Sequence, residues 1–174
     1  MRKAVFVIFA AAGILFVTAL SLNGIRENNA QAHRLTLMRT LLPGSSTFAV
    51  EPYDGTDPNI RSVYRGETGF VIRTVTSGYA GEITMSIGVS KEGRVTGLVV
   101  EKMEETRDLG SRALNEADFL AQFLNTSGDA QVGTNVDALT GATVTSKAIA
   151  RSVNSASAFV TGADTASGAT SWGG

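Results

Sequence analysis

Residues 82–103 read EITMSIGVSKEGRVTGLVVEKM, and this stretch decides the fold. In its first half, apolar residues alternate with small or polar ones, which is typical of a strand with one buried face. The apolar positions on that face are Ile83, Met85, Ile87 and Val89. Residues 91–93 are a Lys-Glu-Gly turn signal, and residues 94–103 are β-rich again. The stretch therefore predicts two antiparallel strands joined by a hairpin turn.

Further β-rich segments precede this hairpin, and two helical patterns follow it. Additional strands are predicted near residues 47–50, 62–64 and 70–76. Asn115 can cap a helix that continues to Leu124. Its expected inward side chains are Phe119, Leu120, Phe123 and Leu124.

The last helical pattern covers residues 144–160 and has one apolar stripe. The stripe consists of Ile149, Val153, Ala156 and Val160. Residues 45–160 are therefore expected to form an α+β domain, with packing helices on a twisted antiparallel sheet. Residues 161–174 are Gly, Ala, Ser and Thr with little to pack, which predicts a flexible tail.

The first 23 residues predict a single transmembrane anchor. Residues 4–22 are uncharged and long enough to span a hydrocarbon core. Arg2 and Lys3 precede them, which favours a cytoplasmic N-terminus and an extracytoplasmic domain. A cleaved signal peptide is the alternative, with residues 30–32 (AQA) as its cleavage site, but they lie far from the apolar stretch. Residues 24–44 predict a helix that connects the anchor to the domain.

The composition excludes several classes of function. The formal net charge is −1, so no basic field attracts nucleic acid. The chain has no cysteine, which excludes thiol catalysis and iron–sulfur clusters held by Cys. His33 is the single histidine and cannot build a His-based zinc site. A redox role would therefore need a cofactor that is held in another way.

Residues 137–147 read DALTGATVTSK and place hydroxyl groups in a small-residue turn that opens the last helix. Gly141 and Ala142 let the backbone approach a ligand closely. The start of a helix suits a phosphate, and Lys147 adds a cation beside it. The alternative is a simple helix cap by one of the hydroxyl residues, Thr143, Thr145 or Ser146. From physical chemistry alone, the cap is favoured.

The pattern Asp-x-x-(Ser/Thr)-Gly-Ala-Thr in this segment resembles the flavin-attachment signature of the FMN-binding domain family. That family includes the G subunit of the Rnf complex and the C subunit of the sodium-pumping NADH:quinone oxidoreductase. The resemblance implies that Thr143 carries FMN through a phosphoester and that a flavin transferase requires Asp137. Thr140, Gly141 and Ala142 would complete the turn. Cofactor contacts are also expected from the residues that follow, Thr145, Ser146 and Lys147.

A second segment supports the resemblance. Residues 78–83 (GYAGEI) and 92–97 (EGRVTG) are similar to the family's hairpin. Residues 104–110 (EETRDLG) are similar to a family loop that lies near the flavin and usually reads Glu-Thr-Pro-Gly-Leu-Gly. Cofactor contacts are thus implied for four residues of this chain, Glu105, Thr106, Leu109 and Gly110. Arg107 and Asp108 replace Pro-Gly, so the chain departs from the family pattern at those two positions and no flavin contact is implied there.

Residues 164–170 (DTASGAT) satisfy the attachment pattern a second time. No amphipathic helix follows them, so a chance match in a low-complexity tail is favoured. Attachment of a second flavin to Thr170 stays open as the minor alternative.

The resemblance implies an electron-transfer subunit of an ion-translocating ferredoxin:NAD oxidoreductase in the cytoplasmic membrane. Its partners would be the other Rnf-type subunits and the flavin transferase. Two alternatives stay open. One is an anchored extracytoplasmic flavoprotein that passes electrons to another reductase, and the other is a non-redox structural or assembly subunit.

Overall fold

The structure is a computed structural model that describes residues 29–103 and 117–163. The chain divides into two compact units, Met1–Leu37 and Met38–Gly174. Several predicted features lie outside the described residues. They are the anchor at residues 4–22, the loop 104–110, the helix cap at Asn115, and Thr170 with most of the tail.

Helix α1 covers residues 29–41 of the described chain. Met38 and Leu41 in its last turn and Leu42 directly after it are buried. Gly44 follows with a φ of +85°, a left-handed conformation that a glycine adopts without strain and that ends the helix. Among the described residues, no helix combines the length and the apolar character that a membrane span requires.

Five antiparallel strands form one sheet whose spatial order follows the chain, β1-β2-β3-β4-β5. The strands are β1 (Ala49–Glu51), β2 (Ile60–Arg65), β3 (Gly69–Ser77), β4 (Glu82–Ser90) and β5 (Val95–Met103). Each strand pairs with its neighbour in sequence, as hairpin connections require. The α+β class with an antiparallel sheet is thus confirmed.

Strand β4 is the centre of the core. Its predicted apolar positions, Ile83, Met85, Ile87 and Val89, are all fully buried. The predicted turn to β5 is also present, with Ser90 N–H donating to the Arg94 carbonyl at 2.8 Å. The intervening positions of β4 are buried as well, which strict alternation does not predict.

The end of α1 explains part of this second buried face. A Cβ atom on Gly88 would lie 2.0 Å from the Leu41 carbonyl oxygen, so the helix end and the strand backbone are in close contact. The Thr96 hydroxyl donates to the same carbonyl at 2.6 Å. Gly88 therefore permits an approach that a side chain at this position would prevent.

Helix α2 (Ala117–Ala121) ends three residues before the end at Leu124 that the sequence predicts. Phe119 and Phe123 are buried and meet edge to face, with ring centroids 5.4 Å apart. The expectation that Leu124 points inward is wrong, because it lies in the turn after α2 and is 42% exposed. A turn breaks the 3.6-residue period on which that expectation depended.

Helix α3 (Thr143–Thr161) packs on β3 and β4 and begins and ends within one residue of the prediction. Ile149, Val153 and Ala156 of the predicted stripe are completely buried, while Val160 is half-buried. The hydroxyl of Thr76 on β3 bonds the Ala148 carbonyl at 3.2 Å and the Ser152 hydroxyl at 3.0 Å. These buried polar groups satisfy one another and fix the position of the helix along the sheet.

Two side chains tie loops to this framework. In the turn between β2 and β3, the Glu67 carboxylate accepts hydrogen bonds from the backbone N–H and hydroxyl groups of Ser46 and Thr47. Its own backbone N–H and the Thr47 hydroxyl lower the pKa of Glu67 to about 2. On α3, the Asn154 amide bonds both the N–H and the carbonyl of Ala130, at 3.0 and 2.9 Å.

Candidate functional site

The attachment loop, residues 137–143, leads directly into α3. Ala142 N–H donates to the Leu139 carbonyl at 2.9 Å and closes a turn in which Gly141 has a φ of +78°. A left-handed backbone conformation favours glycine, and the motif has a glycine at this position. The first hydrogen bond of α3 then runs from Ser146 N–H to the Ala142 carbonyl at 2.9 Å.

The start of α3 has no side-chain cap. The capping position is Ala142, whose methyl group cannot accept a hydrogen bond. The interpretation of the hydroxyl residues Thr143, Thr145 and Ser146 as helix caps is therefore wrong. Among the described residues, no acceptor bonds the backbone N–H groups of Thr143, Val144 and Thr145. These groups and the positive end of the helix dipole are available to an anion.

The hydroxyl-bearing residues at this helix start have different surroundings. The Thr143 side chain is exposed, so its hydroxyl is accessible to a modifying enzyme. Thr145 is only 2% exposed, and Ser146 is completely buried. Ser146 Oγ accepts a hydrogen bond from Leu139 N–H at 3.1 Å and donates one to the Ala142 carbonyl at 2.9 Å.

The structure brings the predicted residues of the attachment motif together. Asp137, Thr140 and Gly141 are exposed with Thr143 on one loop, and Lys147 is half-buried one turn further along α3. The four residues assigned to the loop at 104–110, Glu105, Thr106, Leu109 and Gly110, lie outside the described residues.

A cleft of about 270 Å³ lies between α2 and the attachment loop. It is lined by Asp118, Phe119, Gln122, Asp137, Ala138, Leu139 and Thr140. The Gln122 amide oxygen accepts a hydrogen bond from Asp137 N–H at 2.8 Å and thereby joins the two sides. The sequence marked Phe119 as a core residue, but it carried no signal for Gln122, because nothing local reveals a contact with Asp137.

The hairpin turn between β3 and β4 also reaches α3. Gly78 N–H donates to the Gly81 carbonyl at 2.8 Å and closes this turn. The Arg151 guanidinium on α3 donates to the Ser77 carbonyl at 2.9 Å. The turn is therefore linked to the third turn of α3, and its Tyr79 side chain is largely exposed. This bond thus joins the end of β3, directly before the first resembling residues 78–83, to the helix that follows the attachment loop.

Within residues 29–103 and 117–163, no group of three His, Cys, Asp or Glu side chains is placed to hold a metal ion. The site offers an exposed hydroxyl, unbonded backbone N–H groups and nearby cationic side chains. This chemistry suits a phosphorylated organic ligand.

The fold and the site define an α+β domain in which an uncapped helix start lies beside a cleft. Residues 78–158 match the model of the FMN-binding domain family. The match covers both the hairpin turn and the attachment loop.

The chain is also homologous to two curated proteins. It is 28% identical over 170 residues to the G subunit of the Na⁺-translocating ferredoxin:NAD⁺ oxidoreductase complex of Acetobacterium woodii. This alignment covers 83% of the chain and 82% of that relative. It is 32% identical over 99 residues to the G subunit of the proton-translocating ferredoxin:NAD⁺ oxidoreductase complex of Clostridium ljungdahlii, covering 53% of each chain.

Proposed function

We propose that this chain is an electron-transfer flavoprotein subunit that carries FMN through a phosphoester on Thr143. The observation that supports the proposal best is the exposed Thr143 hydroxyl at an uncapped helix start. This helix start lies inside the segment that matches the FMN-binding domain family.

The residues around Thr143 fit a flavin phosphate. A phosphate on the Thr143 hydroxyl would lie at the end of α3 where three backbone N–H groups have no acceptor among the described residues. Gly141 and Ala142 leave room for it because neither has a side chain beyond Cβ. Lys147 and Arg151 follow on the next turns of the helix and contribute positive charge.

Formation of the ester requires an activated flavin donor, because FMN itself would have to expel water. With a flavin dinucleotide as donor, the Thr143 oxygen attacks the phosphorus on the flavin side. The phosphoanhydride bond breaks, AMP leaves, and the threonine proton passes to the transferase or to solvent. No electrons are exchanged in this step, so the chain needs only to present its hydroxyl to a flavin transferase.

Bound flavin would supply electron transfer, which the protein side chains cannot carry out themselves. The chain's own residues have a different task. Thr143 is a tether that prevents loss of the cofactor, and it donates and accepts no proton during turnover. The cleft beside the loop is lined by polar as well as apolar residues, and Thr140, three residues before the tether, is one of them.

The two relatives supply the proposed setting, a membrane complex that couples ferredoxin:NAD⁺ oxidoreduction to ion transport. We infer that other subunits of such a complex are this chain's partners. The predicted anchor at residues 4–22 would hold the domain at the extracytoplasmic face of the cytoplasmic membrane. The relatives are named for different ions, Na⁺ and the proton, so likeness to these two proteins does not set the coupling ion.

Expression of the full chain with and without a flavin transferase tests the proposal. Flavin fluorescence should stay with the denatured chain only when the transferase is present, and peptide mass mapping should place it on Thr143. A Thr143→Ala variant should lose the flavin and keep its thermal stability within about 0.5 kcal/mol, because an exposed side chain that caps nothing contributes little.

Thr134→Ala is the matched control, since it removes an exposed hydroxyl that lies outside the motif. It should retain all of the covalent flavin. If wild-type protein stays without covalent flavin, or if Thr143→Ala retains all of it, attachment at Thr143 is refuted. In the second case, mapping of Thr170 becomes decisive.

A further inference from the structure

The attachment loop is held from within by Ser146. This side chain is completely buried, and its hydroxyl uses both its donor and its acceptor capacity on the loop, at Ala142 and Leu139. A serine that bonds the carbonyl four residues earlier adds little to a helix. Its second bond, from the buried Leu139 N–H, reaches outside the helix and fixes the loop against its first turn.

The other end of the loop is held by Gln122 from across the cleft. Its amide oxygen accepts the Asp137 N–H at 2.8 Å. Asp137 is exposed, so water could satisfy the same N–H if Gln122 were absent. The bond therefore contributes more to the position of the loop than to the free energy of folding.

We propose that Gln122 and Ser146 are positioning residues that preset the attachment loop for the flavin transferase. These bonds join groups of the chain itself, so the chain's own side chains shape the loop, with Asp137 and Thr143 exposed on it. A transferase that recognises this shape avoids the entropy cost of ordering a mobile peptide. The inference rests on the proposed attachment of flavin to Thr143.

The test uses the full chain purified without flavin, a bacterial flavin transferase and flavin adenine dinucleotide. Ser146→Ala removes both loop bonds, and Gln122→Met removes an acceptor from a side chain of similar length. The kcat/KM of flavin attachment should fall roughly ten-fold for Ser146→Ala and roughly three- to ten-fold for Gln122→Met, as expected from the lost hydrogen bonds.

Ser152→Ala is the matched control. Ser152 is another completely buried serine of α3, but its hydroxyl bonds Thr76 on the sheet instead of the loop. This variant should lose a comparable amount of stability. Its kcat/KM should stay within about two-fold of wild type, because the loop that presents the Thr143 hydroxyl to the transferase keeps its bonds to Ser146 and Gln122. Rates are compared at a temperature at which all variants are folded.

Hydrogen exchange of the protein without flavin gives a readout that does not depend on the transferase. The segment 137–142 should exchange faster in Ser146→Ala and Gln122→Met than in wild type, and it should be unchanged in Ser152→Ala. Equal kcat/KM values for Ser146→Ala and wild type would overturn the inference, as would equal losses for Ser146→Ala and Ser152→Ala. If wild type accepts no flavin, the proposed function fails, while the exchange data still report whether the two side chains order the loop.

Discussion

Replacement of Gly88 by alanine should separate the end of α1 from the sheet. The added Cβ would lie 2.0 Å from the Leu41 carbonyl oxygen and 2.6 Å from its carbonyl carbon, whereas ordinary contact begins at 3.4 Å. These atoms are backbone, so no side-chain rotation relieves the clash. The helix end has to retreat by more than an ångström, which breaks the 2.6 Å bond from the Thr96 hydroxyl.

Two terms give the size of the effect. Overpacking of a well-filled interior costs about 1–3 kcal/mol. The lost hydrogen bond adds about 0.5–1.5 kcal/mol. The expected destabilisation is therefore about 2–4 kcal/mol, which corresponds to a fall in Tm of roughly 5–15 °C for a domain of this size.

Thermal unfolding of the detergent-solubilised full chain, followed by circular dichroism, measures this effect. Gly133→Ala is the matched control, because a Cβ there meets nothing within 4 Å and only its φ of +88° is unfavourable. It should cost about 1–2 kcal/mol. Gly97→Ala should fall between the two, since its Cβ would lie 2.9 Å from the Leu41 oxygen. If Gly88→Ala is no less stable than Gly133→Ala, the close contact between helix and strand is refuted.

Three further predictions concern stability. Glu67 has a folded-state pKa of about 2, below its ordinary value of 4.5, so its stabilising contribution is complete above pH 4.5 and is lost as the pH falls toward 2. Glu67→Gln should therefore flatten acid unfolding curves in that window; an unchanged curve would contradict the assignment. Phe123→Ala should cost about 3–5 kcal/mol in urea unfolding, because the ring is completely buried, and a loss under about 1 kcal/mol would show that the site is not packed. Asn154→Ala leaves two groups of Ala130 without their partner and should cost about 1–3 kcal/mol, with faster hydrogen exchange confined to residues 127–136; exchange that rises everywhere would argue against a local effect.

The regular elements could be predicted from the sequence because their periods are local. The alternation in β4 and the stripe on α3 each depend on side chains a few residues apart. The strand with its four buried apolar positions and the helix are confirmed, whereas a single buried face of β4 is not. The second buried face of β4 could not be predicted in this way. Part of it depends on Leu41, which lies more than forty residues before Gly88 and contacts it only in the folded chain.

In the candidate site, too, local features could be predicted from the sequence and long-range contacts could not. The motif predicted where the loop and the helix start lie, because small residues and a hydroxyl cluster are local features. The prediction of a hydroxyl cap was wrong. The sequence has three hydroxyl residues near the helix start, but the residue at the capping position is Ala142. The role of Gln122 was missed because a single long-range hydrogen bond to Asp137 leaves no periodic trace in the sequence.

The order of the strands sets a sequence of events during synthesis. Each strand pairs with the one made just before it, so the sheet is complete once residue 103 has left the ribosome. Its apolar face, however, is covered only by α3, which begins forty residues later in the chain. The sheet is therefore formed before the helix that covers it. Thr143, the first residue of α3, reaches its final position only when this helix packs on the sheet. An enzyme that reads the docked shape would modify finished chains and pass over incomplete ones.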